Sequence, residues 1–294
     1  SLNSNGNVEN RFRGEGGLNK TFLGVGYQVS KGLSIGLDAN YNFGNVQNSN
    51  IEFGYDSENV PLQYQSRENN RSDLSGLSFN LGLSYNAMLN EKLKFVSGFT
   101  YTPESSLTSK NDRSFSTVIL DSNNNEIEVN TIDTDLESQG LKETNLTLPS
   151  KLSFGAGIGE PRKWFIGAEY TTQKTNNFSN PLYSSSATSY EDGSTISIGG
   201  FYIPQYNSFS SYFKRTVYRA GMHFENTGLL INNESIKEFG ISFGLGLPVG
   251  KYFSSANLGF EIGKRGTTRS NLIQENFINF QLSLSLNDRW FNKR

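Results

Sequence analysis

The chain has 294 residues, a formal net charge of −2 and no cysteine, which excludes disulfides, zinc–thiolate sites and thiol nucleophiles. Its mean hydropathy is −0.50 and it contains no run of 18 apolar residues, so a transmembrane helix is excluded as well. The charge balance provides no basic field for nucleic acid. The 30 Gly, 22 Phe and 14 Tyr residues favour strands joined by tight turns.

Alternation with a period of two is the main structural signal. In residues 77–85, Leu, Phe, Leu, Leu and Tyr share one face, whereas Ser, Asn, Gly and Ser share the other. Segments 33–43, 241–249 and 278–286 alternate in the same way. A strand that is apolar on one face and small or polar on the other is typical of a barrel wall between lipid and an aqueous lumen.

This pattern predicts about 11 strands. Most have about 9–13 residues, the length that a tilted strand needs to cross a bilayer, whereas strands of soluble sandwiches usually have about 5–6 residues. The predicted strands are 20–29, 33–43, 76–88, 92–102, 150–159, 163–174, 195–203, 211–224, 238–248, 253–263 and 276–287.

The connections between these strands alternate in length, which is typical of an outer-membrane barrel with periplasmic turns and extracellular loops. We therefore predict an all-β, transmembrane antiparallel up-and-down β-barrel of a Gram-negative outer membrane, with a soluble β-sandwich or adhesin as the alternative. The predicted short turns are 30–32, 89–91, 160–162 and 250–252, and the predicted extracellular loops are near 44–75, 103–149 and 175–194.

Loop lengths also predict an orientation. The first strand runs into a short turn and therefore starts outside, although a closed bacterial barrel normally has an even number of strands and both ends in the periplasm. We accordingly expect further strands upstream. Residues 1–19 are interpreted as a polar loop segment and residues 20–294 as the C-terminal portion of one barrel.

The C-terminal third resembles the FadL-like outer-membrane family, in its Bacteroidota branch, most clearly from about residue 216 onward. The segments that carry the resemblance are YRAG (218–221), TGL (227–229), EFGISFGLGLP (238–248), NLGFEIGKRGT (257–267), LIQEN (272–276) and SLSLNDRWF (283–291), with GGL (16–18) and GVGY (24–27) near the start. The resemblance implies a 14-stranded barrel with an upstream hatch that takes up hydrophobic compounds passively through its lumen. It equally allows a non-transporting barrel subunit of a secretion or protein-assembly complex.

One predicted strand carries several charges on a single face. An arginine on the lipid face at mid-membrane costs about 2–4 kcal/mol, so this face is expected to line the lumen. There the charges could bind a carboxylate ligand, or they could pair with Asp38, Glu169 or Glu261. The charged residues of this face are Arg215, Arg219, His223 and Glu225.

Nothing in the sequence predicts an enzyme or a cofactor. His223 is the only histidine, and no motif provides a nucleophile beside it. Residues 121–125 imitate the start of a calcium loop, but Glu126 and Ile132 stand where such a loop requires Gly and Glu, so no metal is predicted. The alternative is a turn between strands near 115–120 and 127–132.

Aromatic residues near the predicted strand ends are expected to form interfacial girdles, or otherwise to pack at the rim of the sheet. The girdle residues are Tyr101, Trp164, Tyr252, Phe253, Trp290 and Phe291. The expected partners are outer-membrane lipid and lipopolysaccharide, hydrophobic small molecules, and other outer-membrane proteins or lipoproteins. A transporter should show an apolar lumen pocket, whereas a complex subunit should show a charged lumen and an exposed partner surface.

Overall fold

The computed structural model describes residues 8–121, 125–182, 188–249 and 255–285. They form one 15-stranded antiparallel sheet, and they contain no helix that is both long and apolar enough to cross a membrane. Three short 3-10 turns, Thr175–Asn177, Phe213–Arg215 and Arg269–Asn271, lie in the links. The strands are β1 (Asn10–Ser30), β2 (Leu33–Glu52), β3 (Gln65–Met88), β4 (Lys94–Thr102), β5 (Ser105–Leu120), β6 (Glu126–Asp133), β7 (Glu143–Leu148), β8 (Lys151–Glu160), β9 (Trp164–Gln173), β10 (Thr188–Tyr190), β11 (Gly193–Tyr202), β12 (Val217–Ile231), β13 (Glu234–Leu247), β14 (Ser255–Gly266) and β15 (Gln274–Ser285).

The main path of the sheet contains the eleven predicted strands in sequence order. It runs β1-β2-β3-β4-β8-β9-β11-β12-β13-β14-β15, and each strand pairs with its neighbour in antiparallel register. The predicted up-and-down architecture is therefore confirmed. Among the described residues, β1 and β15 occupy the two edges of the sheet and do not pair with each other.

The two faces of the sheet differ in chemistry. From β12 to β15, residues in register form apolar rows on one face, for example Ala220, Phe243, Phe260 and Phe280. Four such rows run from Ile241 to Leu247, and the next row pairs Phe224 and Phe239 with Lys264 and Asn276, as suits the edge of the apolar band. From Phe239 to Leu247 the strand length is about 27 Å, which at a tilt of about 40° covers about 21 Å, close to the apolar band of an outer-membrane barrel. We call this the outer, lipid-facing face and the opposite polar face the inner face.

Three strands are much longer than a bilayer requires. β1, β2 and β3 have 21, 20 and 24 residues, and β3 alone is about 80 Å long. Beyond the membrane they continue as a projecting arm, which we define as residues 10–19, 44–52, 65–75, 105–121 and 125–133. Residues 10–19, interpreted as loop, are therefore strand, and the predicted long loops 44–75 and 103–149 contain the outer parts of β2 and β3 together with β5, β6 and β7.

The arm escaped prediction because its strands are polar on both faces. Residues 66–73 read SRENNRSD, so no alternation remains to indicate a strand, although all eight residues pair with β2. The backbone pairing between long strands stabilises the arm in place of an apolar face, and two small apolar clusters add to its stability. One cluster contains Ile51, Phe53 and Val118, and the other contains Leu74, Leu107 and Leu146.

The segment that imitates a calcium loop lies in the tip of the β5–β6 hairpin, which confirms the alternative of a turn between two strands. Asp121 accepts hydrogen bonds from the backbone N–H and the side-chain amide of Asn125, at 2.8 and 2.9 Å. Both carboxylate oxygens of Asp121 are thus used by the hairpin itself. Residues 122–124 lie outside the described residues.

Loop length sorts most links of the sheet as predicted, but the β12–β13 link at the long-loop end is a two-residue turn of Asn232 and Asn233. The short-turn end carries the turns after β1, β3 and β8, and the predicted turn at 250–252 lies outside the described residues. The long-loop end carries the arm. One link at the short-turn end differs from expectation: β12 starts at Val217 rather than residue 211, so residues 203–216 form an ordered 14-residue link.

Candidate inner-face site

The predicted charged face of β12 points to the inner side of the sheet at Arg219 and His223. Arg219 lies beside Gly244 in the register, and His223 lies beside Gly240, whereas their neighbours Ala220 and Met222 belong to the apolar rows. Three of the four predicted charged residues, Arg219, His223 and Glu225, therefore share one face of β12, and the glycines beside Arg219 and His223 leave room for long side chains. That this face lines a lumen stays a prediction.

His223 is the centre of the charged cluster. Its Nε2 lies 3.3 Å from Oε1 of Glu238, and its Nδ1 lies 3.5 Å from Oε1 of Glu261. The other Glu238 oxygen pairs with Nε of Arg265 at 2.9 Å. A Cβ at position 240 would lie 2.4 Å from Cε1 of His223, so glycine at this position makes space for the imidazole. The cluster links β12, β13 and β14 across the inner face.

Arg219 forms a second polar contact, four residues closer than His223 to the short-turn end of β12. Its Nη1 donates a hydrogen bond of 3.0 Å to Oδ1 of Asn257 on β14. A Cβ at Gly246 would lie 2.9 Å from the same guanidinium nitrogen, so Gly246 gives the arginine its space. The hydrogen bond ties the arginine to the wall.

Of the other two predicted residues, Arg215 lies off the strand and Glu225 lies on the same face of β12 as His223. Arg215 is not on the strand: it ends the 3-10 turn Phe213–Arg215, and its guanidinium stacks over the ring of Tyr212 at 5.6 Å. The period-two pattern was extended past the true start of β12 at Val217, so the strand position predicted for Arg215 was wrong. Glu225 lies on β12 beside Glu238 in the register.

The acidic partners expected for this face are only partly brought together. Glu261 contacts His223, as proposed from the sequence. Glu169 lines the same inner cavity as His223. Asp38 lies on β2, where it faces Gly24 of β1 and is remote from β12 in the strand order.

Glu238, Arg265 and Asn257 complete these contacts and were not predicted. The alternation of the segment 238–248 already placed position 238 on the same face as 240 and 242. Glu238 could therefore have been found from the sequence, but its pairing with β14 required the register.

The inner cavities of the sheet are lined by small residues, with both polar and apolar groups among them. One has a volume of about 630 Å³ and lies between β3 and β13, where small residues such as Ser84, Thr100, Ser153 and Ser197 line it together with His223. A second, of about 520 Å³, lies around Arg219 and Gln281. Phe165 is the largest apolar residue that lines the first cavity, together with Val96, Ile198 and Met222, and it stacks on Phe201 at 6.1 Å.

Two more strongly apolar concavities of the described residues lie on the outer face. The larger has a volume of about 1080 Å³ and forms over the small residues Gly200 and Ala220, between walls that include Phe243 and Phe260. Another, of about 640 Å³, lies among Val25 and its apolar neighbours on β2 and β3. Both are hollows in the surface that meets lipid.

The arm carries a separate network of charges outside the membrane. Arg67 pairs with Glu126 at 3.3 Å and with Glu128, and Arg11 contacts the same Glu126 at 3.3 Å. A hydrogen bond from Thr131, together with Arg67, lowers the pKa of Glu128 below its ordinary value. These contacts connect β1, β3 and β6 beside a polar cavity of about 680 Å³.

A second carboxylate at the long-loop end is held by hydrogen bonds. Glu191, between β10 and β11, accepts a hydrogen bond of 2.9 Å from the amide of Asn226. Hydrogen bonds from Ser235 and Asn226 lower the pKa of Glu191, and Lys237 adds to the effect. This residue therefore joins the β10–β11 link to β12 and β13.

Two girdle residues fall within the described structure. Trp164 opens β9 at the short-turn end beside Tyr202, and Tyr101 lies near the end of β4. Both positions suit an interfacial belt, whose assignment stays a prediction. Tyr252, Phe253, Trp290 and Phe291 lie outside the described residues.

Strand order, crossing length and the apolar outer band together define a transmembrane β-barrel protein of the bacterial outer membrane. The chain belongs to the BamG family, whose sequence model matches residues 1–294. The sequence matches no curated protein.

One solved structure shares the fold at low sequence identity, and two others show weaker similarity. The CymD monoaromatic hydrocarbon channel is similar with a TM-score of 0.56 and 14% identity, over 94% of this chain and 75% of that channel. The RagAB peptide importer in its closed-closed state gives a TM-score of 0.48 and 12% identity, over 96% of this chain and 35% of the importer chain. OccK10 of Pseudomonas aeruginosa gives a TM-score of 0.31 and 9% identity, over 95% and 98% of the two chains.

Proposed function

We propose that this chain is a non-transporting barrel subunit of a multi-protein complex for secretion or protein assembly in the outer membrane, acting through its loops and turns. The observation that carries the proposal is the chemistry of the inner face. Where a hydrophobic ligand would need an apolar pocket, the described inner face presents the polar cluster of His223, Glu238, Glu261 and Arg265. The family name, BamG, suggests a component of a barrel-assembly complex and supports the same interpretation.

The long-loop end adds a second argument. Strands that only formed a membrane wall would need about 9–11 residues each, yet β3 has 24 and continues into the arm. The arm is held together by ion pairs that involve Arg11, Arg67 and Glu126. A rigid structure of this size outside the membrane suits contacts with other proteins.

The second candidate function is passive uptake of hydrophobic compounds, as the FadL-like resemblance implies. CymD, which shares the barrel fold, is described as a monoaromatic hydrocarbon channel. A related function here would require an apolar path on the inner side. The two apolar hollows described above face lipid instead.

Purification from the native membrane in mild detergent distinguishes these functions. A tagged copy at its natural level should retain other outer-membrane proteins at a fixed molar ratio, measured by quantitative mass spectrometry. The control is another tagged barrel of similar abundance, which should not retain them. Purification as a lone chain with a hydrophobic compound in the lumen would contradict the subunit proposal and favour uptake.

A further inference from the structure

The ordered link between β11 and β12 forms a rigid surface at the short-turn end, which we call the platform (residues 203–216 with the turn 161–163). Backbone hydrogen bonds hold it internally, including Gln205 N–H to the Lys214 carbonyl at 2.7 Å. Ser208 is buried and receives the Ser211 N–H on its hydroxyl at 3.3 Å. A connection that only reversed the chain would need about two to five residues, so the length of this link indicates a role beyond joining two strands.

The platform is attached to the turns on both sides of it. Ile203 N–H donates to the carbonyl of Lys163 at 2.7 Å, and the Arg162 guanidinium lies 5.3 Å from the Tyr206 ring centre. On the other side, the Tyr212 hydroxyl donates to the carbonyl of Pro248 at 3.0 Å. The ends of β8, β9, β11, β12 and β13 are thereby joined into one preorganised surface.

This surface exposes large aromatic side chains. Phe209 at its tip is 104% exposed and Phe213 is 71% exposed, although phenylalanine has no polar atom that could benefit from water. Tyr206 and Tyr212 stand beside them and are half exposed. Rigid aromatic anchors beside arginines are the side chains that most often dominate protein interfaces.

The charge of the surface is one-sided. The described turns of the short-turn end contain six cationic residues and one carboxylate, Glu91, although the whole chain has a net charge of −2. Four of these cations flank the exposed aromatic residues, and of the four, Lys163 pairs with the strand-terminal Glu160 at 3.0 Å. The six cations are Lys31, Lys92, Arg162, Lys163, Lys214 and Arg215.

We propose that the platform is the docking surface for an acidic periplasmic protein of the same complex, with Phe209 and Phe213 as its apolar anchors. This inference rests on the proposed function and on the assignment of the short-turn end to the periplasm. Charge complementarity selects an acidic partner. Anchoring to anionic lipid is the less suited alternative, because it needs amphipathic side chains but not a backbone fixed to the neighbouring turns.

The first test removes the anchors. In Phe209→Ser combined with Phe213→Ser, an acidic partner that the wild-type protein retains should be held about 30-fold more weakly, the effect of losing an interface hot spot. The Phe213 carbonyl, which accepts a hydrogen bond from the Tyr218 hydroxyl, is unchanged. The matched control changes two exposed apolar residues at the long-loop end, Val60→Ser with Ile273→Ser, and should retain the partner.

The second test uses charge and cross-linking. Lys214→Glu with Arg215→Glu should release the partner at lower salt than wild type, and heat-modifiable gel migration should show all variants folded. A photo-cross-linking amino acid at position 209 should label the same acidic protein in intact membranes. If wild type and the serine variant retained the acidic partner equally, or if position 209 cross-linked to lipid alone, the docking role of the platform would be refuted, whereas the proposed subunit function would not be. A wild-type protein that retains no other protein would overturn both.

Discussion

The assignment of outer and inner faces makes a quantitative prediction at Phe243. This residue lies midway between Phe239 and Leu247 on β13, with Ala220 and Phe260 as its neighbours in the register, and is 54% exposed because its other neighbours would be lipid. An arginine placed there should cost about 2–4 kcal/mol, the value for a cation on the lipid face at mid-membrane. Since Phe243→Ala removes the ring alone, the difference between Phe243→Arg and Phe243→Ala isolates the cost of the charge.

The matched control is the next residue along the strand. Ser242 points to the inner face, where Gly221 and Glu261 are its neighbours in the register. Ser242→Arg should therefore change the free energy of unfolding by less than about 1 kcal/mol, since lumen positions tolerate charge.

The assay is reversible denaturant unfolding from lipid vesicles, followed by tryptophan fluorescence or gel mobility, with linear extrapolation to zero denaturant. Equal destabilisation by Ser242→Arg and Phe243→Arg would refute the assignment of the faces. A penalty below about 1 kcal/mol for Phe243→Arg over Phe243→Ala would refute it as well, because it would place that row in water.

Three further outcomes are expected. Arg67→Gln should speed amide hydrogen exchange several-fold in residues 126–133 but not in β12–β15, because Arg67 joins β3 to the acidic residues of β6. The folded-state pKa of Glu191 lies below its ordinary value of 4.5. Protection of residues 188–193 from amide hydrogen exchange should therefore be full above pH 4.5 and should fall as the pH drops through the folded-state pKa. Glu191→Gln should remove this pH dependence. Gly32→Ala should lower the yield of folded protein on refolding, because Gly32 has a φ of +91° and the added Cβ would lie 2.2 Å from a backbone oxygen. The control is Gly26→Ala, whose Cβ would lie 3.9 Å from the nearest atom and which should refold like wild type.

Alternation and turn length were sufficient to predict the membrane wall. Each of the eleven predicted strands has a counterpart in the sheet, because a strand between lipid and a polar interior must alternate. The same reasoning placed Arg219 and His223 on the inner face. It failed at Arg215, because periodicity alone does not show where a strand gives way to a 3-10 turn.

The arm and the contacts of the inner face were beyond the sequence signal for a different reason. In residues 66–73, polar side chains occupy both faces, and the stability of the strand comes from its pairing with β2 and β5. The partners of His223 depend on how β12, β13 and β14 align. Alignment between strands is set by the whole sheet and not by any one segment.

The continuity of β3 has a mechanical consequence. Its register with β2 runs without a break through 20 residue pairs, from the lipid-embedded part to the far part outside the membrane. The strand has no joint at the membrane surface where the outer part could swing freely. A load applied to the distal end would therefore act as a bending moment on the embedded wall, with the strand as a lever.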